Sequence, residues 1–298
     1  MPDQLRIGVV GAGPWSLLVH APMVANHPRT ALAGVWARRI EAAEEVASPF
    51  GAPAFTSFPE FLDACDAVTF AVPPDVQAPL AMQAARAGKA LLLEKPVALD
   101  LESAVALADV VEETGVATQM VLTWRYNDDV RRFLREVAEV VPIGARGVFL
   151  SGAFLGGMFA TPWRLEQGPL LDLGPHVLDT LDAALGTIVG IEAHGNPTRW
   201  VGLLVEHESG VTSEVSLSAY TDVEPTRAGV EVYTRDGAIV VDTSEVLTDA
   251  TMVRIVDEFV ETAETGRPHP LDVHHGVRLQ RLLSAAREDM DRPRRVVH

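Results

Sequence analysis

Three short segments carry residue types that could do chemistry. The first is Gly11-Ala12-Gly13-Pro14-Trp15-Ser16, directly after an apolar run at 6–10. Gly11 permits a tight turn, Gly13 lets the backbone approach a pyrophosphate, and the helix that follows offers unpaired N–H groups to an anion. Pro14 suits a first helical position, where its missing N–H costs nothing. Ser16 stands where the third glycine of the pattern would be and is small enough for a helix to pack closely on a strand. The second segment, Leu93-Glu94-Lys95-Pro96, puts a lysine at the carboxyl end of a strand, where α/β folds bind ligands. Alone, it reads equally as a lysine lying along a strand end. The third, from Gln167 to Asp179, sets Asp172 and His176 four residues apart on one helix face. A carboxylate can orient an imidazole and stabilise its protonated form, as an acid/base pair requires. With the helix starting near 171, Pro175 falls in its first turn. Asp179 could extend the row into a metal site, but a structural role is the simpler reading, so no metal is expected.

The elements that must hold these residues fall into two patterns. Up to about 118, near-continuous apolar runs at 6–10, 32–36, 67–72, 90–93 and 116–121 alternate with helical stretches at 16–25, 40–49, 77–87 and 101–113. Strands apolar on both faces, separated by helices, predict a parallel doubly wound α/β sheet, the Rossmann architecture. Beyond 122 the pattern changes. Helices are expected at 128–139 and 171–185, strands at 147–154, 189–193, 200–206, 211–219, 229–234 and 238–241, and helices again at 250–265 and 272–289. Asp236-Gly237 is a hairpin signal, and Asp272 is an N-cap candidate ahead of the surface pair His274-His275. An α+β domain with an open, largely antiparallel sheet follows, giving domains at 1–122 and 123–298. His20 in the first helix reads as core packing or a local hydrogen bond.

The second strand ends in Trp36-Ala37-Arg38-Arg39. An NAD-selective site usually holds a carboxylate here for the ribose hydroxyls. Alanine at 37 with Arg38 beside it favours the 2′-phosphate of NADP over NAD. The competing reading makes Arg38 and Arg39 solvated charges answered by Glu41, Glu44 and Glu45.

Composition bounds the rest. The 298 residues carry 24 Lys+Arg against 41 Asp+Glu, a net charge of −17. No basic surface is available for a nucleic-acid backbone, the cluster from Arg292 to Arg295 being too short. No run approaches the roughly 20 apolar residues of a membrane span. The single cysteine, Cys65, excludes an intrachain disulfide and reads as buried packing. With no leader pattern in Met1-Pro2-Asp3, the expected compartment is the cytoplasm. An acidic surface around a few cations favours a neutral small-molecule substrate.

The glycine loop, Ala71-Val72-Pro73-Pro74, Glu94-Lys95-Pro96, Trp124-Arg125-Tyr126 and the Asp172-x-x-x-His176-x-x-Asp179 helix occur in one order over nearly the whole chain. Together they resemble the Gfo/Idh/MocA family of NAD(P)-dependent oxidoreductases, the glucose–fructose oxidoreductase and inositol dehydrogenase group. The resemblance implies cofactor contacts along Gly11, Gly13, Pro14, Trp15, Ala37, Arg38, Val72, Pro73, Gln77, Glu94 and Lys95. It implies that Lys95 and His176 face the nicotinamide, with Asp172 beside substrate hydroxyls. Hydride would move between the nicotinamide and a secondary alcohol or ketone carbon of a sugar or polyol. It also implies a homodimer or homotetramer through the outer face of the C-terminal sheet. Gln77 departs from the histidine common at this place; it can hydrogen-bond but cannot titrate. Arg125, Tyr126, Trp163 and Arg164 are candidate substrate contacts, with surface salt bridges as the alternative. A reductase of a non-sugar carbonyl or dihydrodiol-type substrate, and a nucleotide-binding homologue without turnover, remain open.

Overall fold

The computed structural model describes residues 4–292. Residues 1–3 and the basic cluster beyond Arg292 lie outside them. Contacts divide the chain into two units, one built from the described residues up to Val121 with Asp249–Gln280, the other from Leu122–Thr248 with the described residues from Arg281. The segment Asp249–Gln280 therefore goes with the first unit, where the sequence pattern placed it in one continuous stretch from 123 onward.

The first unit holds β1 (Leu5–Val10), β2 (Thr30–Trp36), β3 (Ala54–Phe55), β4 (Ala67–Phe70), β5 (Ala90–Glu94) and β6 (Thr118–Val121), all parallel, in the order β3-β2-β1-β4-β5-β6. This is the doubly wound order, with its switch point at the carboxyl ends of β1 and β4. The core is aliphatic on both faces, with Ile7, Val9, Val10, Val68, Leu91, Leu92 and Leu93 fully buried. β3 and the helix Phe58–Ala64 are additions to the expected set. The helix is capped by Ser57, whose hydroxyl accepts from Glu60 N. Its Phe61 and the buried Cys65 fill the space beside Gly8. Burial pushes the Cys65 thiol up to about 12, so it is a packing group. Among the described residues, no helix is long and apolar enough to cross a membrane.

The second unit is built on β7 (Gly144–Leu150), β8 (Ile188–Asn196), β9 (Trp200–His207), β10 (Thr212–Ser218), β11 (Arg227–Thr234) and β12 (Gly237–Asp242), in the order β12-β11-β7-β10-β9-β8. β7 and β10 run parallel and the other neighbours antiparallel, as an open, largely antiparallel sheet requires. The hairpin signal is displaced by one residue: Thr234 pairs with Gly237, leaving Arg235-Asp236 as the loop.

The helix Pro169–Leu185 lies across β7, β9, β10 and β11. It begins two residues earlier than the pattern implied. Gly168 holds φ 77°, and its α-carbon lies so close to the Pro197 carbonyl that no side chain fits; Pro169 then opens the helix. Pro175 is consequently in the helix interior, not the first turn, and cannot donate to the Leu171 carbonyl. Burial along nearly the whole helix offsets that loss. The helix sits this close because β7 has Gly147 beneath Val177: an added Cβ would fall within the van der Waals radius of Val177 Cγ1. Gly147→Ala should therefore lower stability by about 1–3 kcal/mol through overpacking. Urea unfolding would check this, and a loss below about 0.5 kcal/mol would mean that the helix can lift off the sheet.

Candidate active site

In the first unit the glycine loop leaves β1 with Gly11 N–H donating to Trp36 O at 2.9 Å. Gly11 has φ 113°, and a Cβ there would meet Ala71 O at 2.5 Å, so only glycine lets this turn pass the end of β4. A Cβ on Gly13 would meet nothing within 4 Å. That open side is where a pyrophosphate can approach backbone N–H groups. Ser16 Oγ donates to Gly11 O at 2.8 Å and is fully buried, so the serine in the third glycine position ties the loop to its helix.

The helix continues through a π-turn, Ser16–His20, in which Ala21 N–H donates to Ser16 O five residues back. π-turns recur at functional sites because they re-aim side chains. Here His20, fully buried, reaches two strands. Its Nδ1 lies 2.8 Å from Thr69 Oγ1 and its Nε2 lies 3.0 Å from Glu94 Oε1. Trp15 Nε1 donates to the same Glu94 oxygen at 2.7 Å. Glu94 Oε2 accepts from the Lys95 backbone N–H at 3.0 Å. Burial by itself would raise the Glu94 carboxyl. The His20 hydrogen bond, the nearby His20 and Lys95 charges and the Trp15 bond outweigh it and hold the carboxyl below its ordinary value.

Gln77 is fully buried below the same turn. Its Oε1 accepts from Glu94 N–H at 2.9 Å, and its Nε2 lies 2.8, 3.3 and 3.0 Å from the carbonyls of Glu94, Pro96 and Val97. A residue expected to touch cofactor thus uses its amide to shape the Lys95 turn, whose Lys95–Pro96 peptide is cis. Beside β2, Ala37 is 8% exposed and Arg38 and Arg39 are exposed. Among the described residues, neither guanidinium pairs with Glu41, Glu44 or Glu45, so the solvated-pair reading of Arg38 finds no partner.

In the second unit Asp172 and His176 are both 7% exposed on the Pro169–Leu185 helix. Arg164 Nε donates to Asp172 Oδ1 at 3.2 Å, and its guanidinium lies over the rings of Trp163 and Phe159 at 5.0 and 5.7 Å. Arg164 thus fixes the carboxylate. The His176 ring stacks on Trp124 with centroids 5.7 Å apart and planes at 21°, and Phe149 lies against both. Arg125 Nη1 pairs with the fully buried Asp179 at 2.8 Å, which gives Asp179 a structural partner. Tyr126 is fully buried under Arg131, 5.9 Å from the ring centroid. Asp272 caps its helix as expected, its Oδ1 accepting from His275 N–H at 3.0 Å, and His274 is half exposed. A cavity of about 420 Å³ opens beside Glu192, His194, Asp289 and Arg292, and none of the candidate residues lines it.

Three groups escaped the sequence reading as site residues. His20 contacts residues 49 and 74 positions away, beyond the reach of local pattern. Trp124 and Phe149 form the bed of His176; a tryptophan next to Arg125 was the only available sign of it.

The Glu94 arrangement has a pH signature. A carboxyl held below its ordinary 4.5 contributes stability that is fully present above that value and is lost as pH falls through the lower folded value. Glu94→Gln should cost about 1.5–3 kcal/mol at pH 7, since its amide would face donors. The gap from wild type should narrow as pH falls from 4.5 through the lower folded value, where the wild-type carboxyl protonates. Denaturant titrations at neutral and acid pH check both the size and the direction.

Comparison with known proteins agrees with this geometry. Residues 5–122 match the Gfo/Idh/MocA oxidoreductase family, with its NAD-binding Rossmann fold. The chain is 27% identical to a D-xylose 1-dehydrogenase (NADP(+)) of Haloferax volcanii, over 96% of both proteins. It is 31% identical to the dTDP-3,4-didehydro-2,6-dideoxy-alpha-D-glucose 3-reductase of Streptomyces violaceoruber, over 61% of this chain and 55% of that protein. The fold matches UDP-N-acetylglucosamine 3-dehydrogenase from Acidithiobacillus ferrooxidans with TM-score 0.83 and 23% identity, over 96% of this chain and 98% of the other. The glycine loop and the Glu94-Lys95-Pro96 turn both lie within residues 5–122, the part of the chain that matches the Gfo/Idh/MocA oxidoreductase family with its NAD-binding Rossmann fold.

Proposed function

We propose that the chain is an NAD(P)-dependent dehydrogenase or reductase, with NADP preferred, acting on a secondary alcohol or ketone carbon of a neutral sugar, polyol or related small molecule. The observation that carries the reading is the Lys95 turn, built by Glu94 and Gln77 directly after β5, in a chain that also holds Asp172 and His176 on one buried helix face. The similarity to a D-xylose 1-dehydrogenase (NADP(+)) along 96% of both chains supports the sugar class.

The nicotinamide, when bound, supplies the hydride acceptor or donor. Lys95 holds the reacting hydroxyl oxygen and stabilises the alkoxide charge that develops on it. His176, its ring plane set by Trp124 and Phe149, takes the hydroxyl proton as hydride leaves the same carbon. Asp172, held by Arg164, accepts a hydrogen bond from a neighbouring hydroxyl. Gly11 and Gly13 would bring backbone N–H groups to the pyrophosphate of a bound dinucleotide, and Arg38 would pair with a 2′-phosphate. The single buried Cys65 fits a reducing compartment, and the cytoplasm is the proposed one.

The test follows nicotinamide absorbance across a panel of neutral aldoses and polyols with NADP and with NAD. NADP should be favoured by about 10–100-fold in kcat/KM, and Arg38→Ala should abolish the preference. Lys95→Ala and His176→Ala should each bind NADP yet lose about 10²–10⁴ in kcat. Near-wild-type turnover by either variant would remove that residue from the mechanism. Tight NADP binding without turnover across the panel would favour a nucleotide-binding homologue instead.

We propose as well that the outward face of the second sheet pairs with a second copy of the chain. Trp200, Leu204 and Val240 on that face are 44%, 41% and 60% exposed and offer that copy apolar contacts. Light scattering should give a dimer or tetramer for wild type and a smaller species for Leu204→Glu. A wild-type monomer at micromolar concentration would refute the pairing.

A further inference from the structure

Glu94 receives more buried hydrogen bonds than a strand end needs. Its two carboxylate oxygens accept from three separate places in the first unit: Trp15 in the glycine loop, His20 in the π-turn, and the backbone of Lys95. His20 is itself anchored at Thr69 on β4. A carboxylate accepts but cannot donate, so with Glu94 ionised His20 presents Nε2–H to it, while Nδ1 lies against the Thr69 hydroxyl, which can serve as donor or acceptor. Three donors thus converge on one accepting side chain. The His20 bond is buried and the other two are partly buried, and each is stronger for being charge-assisted.

The arrangement joins two parts that are remote in sequence. Trp15 belongs to the loop whose backbone meets the dinucleotide, and its indole reaches the end of β5. Lys95 N–H is the first backbone donor of the turn that carries the lysine. A shift of the glycine loop of a few tenths of an ångström would lengthen the Trp15 bond. It would thereby change how firmly Glu94 holds the turn.

We propose that Trp15, His20 and Glu94 are positioning residues that couple occupancy of the dinucleotide loop to the order of the Lys95 turn. This rests on the dinucleotide-binding reading above and extends it to residues that do not touch substrate. The set makes the lysine turn firmer when the loop is filled, so catalytic geometry is completed by cofactor binding. Gln77, which grips the same turn from below without contacting the glycine loop, holds it in either state.

Amide hydrogen exchange of the 92–98 segment, with and without NADP, tests the coupling without relying on turnover. In wild type, saturating NADP should slow exchange at Lys95 by about tenfold. Trp15→Phe and His20→Leu should still bind NADP but retain less than about threefold of that protection, whereas His20→Gln, which can offer an N–H to Glu94, should recover most of it. In turnover assays the same two variants should lose kcat more than they raise the cofactor KM. Wild-type protection in both Trp15→Phe and His20→Leu would overturn the proposal and leave the functional reading intact. Should His20→Leu fail to fold, Trp15→Phe, a half-buried position, decides alone. Failure of wild type to bind either dinucleotide would overturn both readings together.

Discussion

A single buried carboxylate organises the first unit. Glu94 ends β5, and its carboxylate accepts from the Trp15 indole, the His20 imidazole and the Lys95 amide. Leaving a buried donor such as His20 unsatisfied costs about 1–3 kcal/mol, so this constellation favours the charged form of Glu94. The consequences spread outward. The π-turn exists to put His20 in line with both Thr69 and Glu94, and Ser16 pins the start of that turn to the glycine loop. The fold's nucleotide loop and its lysine turn are thus set by one electrostatic requirement.

The second unit solves a similar problem by different means. Its long helix is almost entirely buried yet carries Asp172, Asp179 and Asp182. Each carboxylate is assigned a donor: Arg164, Arg125 and the Ile188 N–H. His176 packs against aromatic faces, which fix its ring plane. A glycine in β7 and a glycine before the helix decide how close this helix comes and where it starts.

Much of this was legible in the sequence because the signals were local. The order of strands and helices up to 121 followed from apolar runs bounded by glycine and proline, and the i, i+4 spacing of Asp172 and His176 survives any small error in helix start. What escaped was non-local. β3 has only two residues, too few for any period to appear. Gly168-Pro169 was a helix-start signal passed over in favour of the apolar run behind it, which misplaced Pro175 by two residues and put it in the first turn. Gln77 was expected at the cofactor because of its position in a motif, whereas its fully buried amide serves backbone carbonyls of residues 94–97. The role of His20 depends on Thr69 and Glu94 together, and no spacing rule joins those three residues.

The return of Asp249–Gln280 to the first unit has a bearing on how the chain is made. β6 does not finish itself: Gln119 donates to Ile255 O, and Val273 N–H donates to Thr118 Oγ1, partners 136 and 155 positions further along the chain. At roughly 5–20 residues per second, a ribosome delivers those partners about 7–30 s after β6 has been synthesised. Throughout that interval the edge of the parallel sheet stands open to other strands. The nucleotide-binding half, although encoded first, is completed nearly last, so a nascent chain of this protein spends most of its synthesis with an aggregation-prone edge that only its own C-terminal third can cover.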